Sequence, residues 1–153
     1  MGITSKQLQP YFDTALDGML ACVKELGDDR INRKPDLRGA NSPYVILFHC
    51  IQLTHWWVGT MCAGREMIRD RDGEFVASGT VADLVEAMSA LKAELSEDLV
   101  DMDLDAPMYA PHLLPATSSA RSWNRAQALI HAYEELAQHH GHMEITRDIL
   151  LAG

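Results

Sequence analysis

Apolar residues recur at the three-and-four spacing of an amphipathic helix in four stretches of the chain, divided by three segments rich in Pro, Gly, Asp and Asn. The first stretch, from about residue 6 to residue 26, sets Tyr11, Leu16, Met19, Leu20, Val23 and Leu26 on one face, and Gly27-Asp28-Asp29 is expected to stop it. Residues 32–41 contain Pro35 and Gly39, show no period and read as a loop. Ser42-Pro43 then offers a capping hydroxyl followed by proline at the first helical position, where its missing N–H costs nothing. The second helix is predicted from there to about Arg69. It is apolar nearly all round, the pattern of an element packed on several sides. Arg71-Asp72-Gly73 reads as a turn, and Thr80-Val81-Ala82-Asp83 as a capping box that starts a third helix ending near Val100. Residues 101–119 hold Pro107, Pro111 and Pro115, which exclude a long regular element and predict a loop serving as a lid over the bundle mouth. A last helix is expected from about Ala120 to Leu151. The economical architecture is all-α, a four-helix bundle in a single domain spanning residues 1–153.

Composition changes this picture little. The length suffices for one core without disulfides, and 47% hydrophobic with 23% charged residues is ordinary for a globular chain. No run approaches the roughly 20 apolar residues of a membrane span, and the N-terminus lacks an apolar signal region, so a cytoplasmic protein is expected. The net charge of -9 argues against binding a phosphate backbone. Cys22, Cys50 and Cys62 are odd in number, lack CxxC spacing and lie in apolar stretches, where thiols behave as small buried hydrophobes. An apolar flank of the first or second helix would suit a homodimer.

The chemistry concentrates near the end of the chain. Of seven histidines, four fall in the segment HAYEELAQHHGH, residues 131–142. Glu135 and His139 are four apart and share one helix face, the spacing by which one helix donates two metal ligands, and His131 continues the stripe one turn earlier. A third ligand must come from a neighbouring helix, with His49 and His55 available. His49 is preferred, because between Phe48 and Cys50 an unpaired imidazole would be costly. His55 lies six residues on, roughly 9 Å along the axis, too far for both to share one ion. His140 and His142 are expected to be exposed or capping, and Trp56, Trp57 and Trp123 to be core. Arg121 and Arg125, near the start of the last helix, are the residues expected to receive an anionic group, and His131 is expected to hydrogen-bond a ligand or line the pocket.

The closing text EELAQHHGHMEITRDILLAG, together with FHCIQLTHWW in the second helix, resembles the DinB-like superfamily. Glu135 at the first position of the helix-four pair is similar to the branch that holds mycothiol-dependent maleylpyruvate isomerase and the mycothiol S-transferases. The resemblance implies a divalent metal, zinc first and nickel second, on His49, Glu135 and His139, with mycothiol as co-substrate. It further implies that the thiol, activated as a metal-bound thiolate, is conjugated to an electrophilic small molecule in detoxification. The chain has no room for the isomerases' extra C-terminal domain, which favours a stand-alone transferase. Two other uses of the same site remain open at this point: a metal-dependent hydrolase acting through bound water, and a non-catalytic metal-containing stress or binding module.

Overall fold

The computed structural model describes residues 2–153. Helix α1, Ser5–Leu26, starts on a capping box in which the Thr4 hydroxyl accepts from the Gln7 N–H and the Gln7 side chain accepts from the Thr4 N–H. It ends where Gly27 takes φ +66, a left-handed conformation that glycine adopts without penalty. The chain then makes a one-turn helix α2, Asp28–Ile31, where the sequence predicted only a stop. Helix α3, Pro43–Thr54, is capped by Ser42 as expected. It continues as a π-helical segment, His55–Cys62, closed by the Ala63 N–H donating to the Val58 carbonyl at 2.9 Å. The second long helix therefore ends at Cys62 and not near Arg69, because Gly64 turns the chain with φ +78. A one-turn helix α4, Arg71–Glu74, capped by the Asp70 carboxylate, stands where a simple turn was expected. Helix α5, Val81–Asp98, begins on the predicted Thr80–Asp83 capping box. Helix α6, Arg125–Ala152, starts five residues later than predicted, after a 3-10 turn over Ser119–Ser122.

The four long elements form an all-α bundle in which α1 and the α3–π element each lie against both α5 and α6. Phe12, Leu16, Met19, Leu47, Ile51, Met61, Leu84, Met88, Leu91, Leu95 and Leu99 are fully buried between them. Each such side chain contributes about 1.5–3 kcal/mol relative to exposure. Cys22, Cys50 and Cys62 are buried free thiols. Tyr11, on the apolar face that the spacing of the first helix defines, is 58% exposed and, with Ile3, Ile130 and Tyr133, lines an apolar groove of about 320 Å³ between α1 and α6. No described helix is long and apolar enough to cross a membrane.

Two close approaches fix where α6 sits. The His140 ring packs on Gly18 of α1, so closely that a β-carbon on Gly18 would fall within contact distance of its Nε2, Cε1 and Cδ2. At the other end, the segment 101–119 is fastened to the start of α6. The Tyr109 N–H donates to the Met61 carbonyl at 2.7 Å, and Arg125 and Ala126 donate theirs to the carbonyls of Ala106 and Leu104. Glu135 lies ten residues beyond Arg125, about 15 Å along the helix. The segment expected to act as a lid is thus tied to the end of the bundle away from the predicted ligands.

Candidate metal centre

His49 projects from the middle of α3, while Glu135 and His139 project one turn apart from α6, the neighbour that α3 packs against. The structure brings all three together: one donor atom from each lies within 4.8 Å of the other two. Donors around a tetrahedral ion with bonds near 2.1 Å stand about 3.4 Å apart. The Glu135 and His139 side chains that carry two of these donors are partly exposed, at 34% and 27%. The His49 and His139 rings meet edge to face with centroids 5.1 Å apart, and Glu135 Oε2 lies 3.8 Å from His139 Nε2.

Burial lowers the pKa of His139, His49 and His142 reinforce the effect, and Glu135 opposes it. The ring is thereby held in the neutral form that can donate a lone pair to a cation. His49 is buried, and its Nδ1 lies 2.6 Å from Oε2 of Glu74, which leaves Nε2 as its free donor. This donor set, two imidazoles and one carboxylate, fits a divalent metal ion and leaves positions for an exchangeable ligand.

Glu74 escaped the sequence reading. It is 2% exposed, sits at the end of α4, and pairs with Arg69 through Nε at 2.6 Å and Nη2 at 3.0 Å. Burial pushes its carboxyl pKa up, but the hydrogen bonds from Arg69 and His49 outweigh that, and the group stays below its ordinary value as a carboxylate. Phe75, the next residue, places its ring 5.4 Å from that of His49. Thus residues 69–75, and not the 101–119 segment, wrap the His49 side of the centre.

The remaining predicted site residues lie apart from the triad. His131, one turn before Glu135, stands edge-on to Trp57 and Trp123 with centroids at 4.9 and 5.4 Å. Arg121 donates to the carbonyls of Pro111, His112 and Leu114. Arg125 donates to the Pro107 carbonyl and lies 4.5 Å over the Tyr109 ring. Both arginines are engaged in holding the 101–119 segment. His55, the alternative third ligand, is directed to α5, where it pairs with Glu94 at 3.0 Å.

Comparison with curated proteins and with solved structures finds no match. The family model described as Mycothiol-S-transferase matches residues 7–152, which includes every residue of the centre just described. The chain belongs to the mycothiol-S-transferase family.

Proposed function

We propose that the 153 residues form one DinB-like domain that conjugates mycothiol, or a similar low-molecular-weight thiol, to an electrophilic small molecule, with His49, Glu135 and His139 holding a divalent metal. The observation that carries this reading is the convergence of three donor atoms within 4.8 Å from two packed helices. Family membership supplies the thiol class.

A divalent ion on these ligands would supply the charge that keeps a thiol deprotonated, and the thiolate is the nucleophilic form. The chain's own residues do the rest. His49 and His139 would hold the ion through ring nitrogens, and Glu135 would offset one of its two positive charges, so the site would retain affinity for an anionic sulfur. His131, one turn before Glu135 on the same helix, would line the approach of the thiol or electrophile, while Arg121 and Arg125 hold the 101–119 segment in place. No side chain needs covalent modification. The same reading carries a cytoplasmic, detoxifying role, with zinc as the first metal to test.

The test is metal content per chain of untagged protein, for the wild type and for His49→Ala, Glu135→Ala and His139→Ala, followed by thiol titration of the cobalt-substituted wild type. Stoichiometric metal lost in all three variants, with a thiol-induced spectral change, is the expected result. A wild type that stays metal-free after incubation with zinc and with nickel overturns it.

A further inference from the structure

Glu74 lies in an unusual position for an acid: outside the bundle's long helices in sequence, 25 residues from His49, yet 2% exposed against its ring. A buried carboxylate is expensive, and replacing a buried ion pair with apolar side chains is often neutral or stabilising. Stability alone therefore does not account for the Arg69–Glu74 pair. Its geometry gives it a different task. Both Glu74 oxygens accept from Arg69, and Oε2 also accepts from His49. An ionised carboxylate can only accept, so in this 2.6 Å contact Nδ1 of His49 is the donor and carries the proton. That assignment leaves the Nε2 lone pair as the group His49 contributes to the cluster with Glu135 and His139.

We infer that Glu74, clamped by Arg69, is a positioning residue that fixes the tautomer and ring orientation of His49 so that Nε2 presents to the metal. This rests on the metal-binding reading above. Carboxylate partners of ligating histidines contribute about 10–100-fold to metal affinity, and here the partner is delivered by α4, an element of a single turn. Arg69, whose side chain is 12% exposed, holds the carboxylate by two bonds, so the orientation passes from Arg69 through Glu74 to His49.

The experiment uses the full untagged chain as wild type, Glu74→Gln and Arg69→Gln. Zinc affinity is measured by chelator competition, and the His49 tautomer by the ring-nitrogen shifts of metal-free protein at pH 8. The wild type is expected to show His49 protonated on Nδ1. Glu74→Gln is expected to bind zinc 10–100-fold more weakly and to show a mixture of the two tautomers. Arg69→Gln is expected to shift both readouts in the same direction by less. It serves as the deciding variant if Glu74→Gln fails to fold. Unchanged zinc affinity, or an unchanged Nδ1–H pattern, in a folded variant overturns the inference. A purely structural carboxylate would lower the melting temperature and leave the tautomer alone. If the wild type binds no zinc, the metal reading fails, and the tautomer measurement still judges what Glu74 does to His49.

Discussion

Gly18 stands in the middle of α1, where alanine would be favoured over glycine by about 1 kcal/mol. The His140 ring occupies the space its β-carbon would need, with Cδ2 at 3.0 Å and two further ring atoms closer. Gly18→Ala must therefore displace His140, whose side chain is 26% exposed and has some freedom to swing outward. Overpacking of this kind costs about 1–3 kcal/mol. Set against the propensity gain, the substitution is expected to range from neutral to about 2 kcal/mol destabilising. In a His140→Ala background the obstacle is gone and only the gain remains, about 1 kcal/mol stabilising. Urea denaturation of the two single variants, the double variant and the wild type measures the coupling, expected at about 1–3 kcal/mol. If Gly18→Ala has the same effect in both backgrounds to within about 0.5 kcal/mol, the ring does not rest on Gly18 and the account of the α1–α6 approach is wrong.

Burial pushes the Cys62 thiol up to about 12, so at pH 8 roughly one molecule in 10,000 carries a thiolate there, against about a quarter for a free cysteine. Cys50 is raised further by burial, and Cys22 is raised by burial against the opposing pull of Arg147. Disulfide-reagent labelling at pH 8 is expected to be slow at all three sites in folded protein and fast in denaturant; a thiol titrated within seconds in the native state contradicts this. Burial raises the Asp98 carboxyl above its ordinary 3.8, although Arg65 opposes the shift through a 2.7 Å contact. Because the folded value exceeds the unfolded one, the stability that protonated Asp98 contributes is present below about pH 4 and lost as pH rises through the folded value. The stability of Asp98→Asn relative to wild type should therefore improve as pH rises from 3.5 to 6.5 in urea titrations, and a relative decline refutes the sign.

The features legible in the sequence were those written locally. Ser42-Pro43 and Thr80 to Asp83 mark helix starts because a cap needs only neighbours three residues away. The i, i+4 pairing of Glu135 and His139 is equally local, and the choice of His49 over His55 followed from the cost of an imidazole in an apolar run. The end of the second helix was not legible, because VGTMCAGREMI keeps its apolar character past the break. Neither the π-helical winding of His55–Cys62 nor the positive φ of Gly64 leaves a periodic mark. Glu74 lies in GEFVASG, a stretch that reads as loop, and its value depends wholly on contact with a residue 25 positions earlier. Arg121 and Arg125 looked like free cations by composition, but the carbonyls that occupy them come from a proline-rich segment whose path no local pattern specifies. His140 is explained by a glycine more than a hundred residues away.

The hydrogen bond between Glu74 and His49 also acts in the reverse direction. Whatever free energy the carboxylate contributes to holding the ring, the ring returns in equal measure to the short helix that carries the carboxylate, since linkage between two groups is reciprocal. α4 and its flanks, residues 63–79, have few regular hydrogen bonds of their own, and among them Ile68 is 99% and Val76 82% exposed. By composition this is a segment at the low end of local stability, where opening to solvent is cheap. Anything that immobilises the His49 ring from the α6 side therefore tightens this strap across the bundle. Occupancy of the centre becomes readable as protection of backbone amides that touch no part of it.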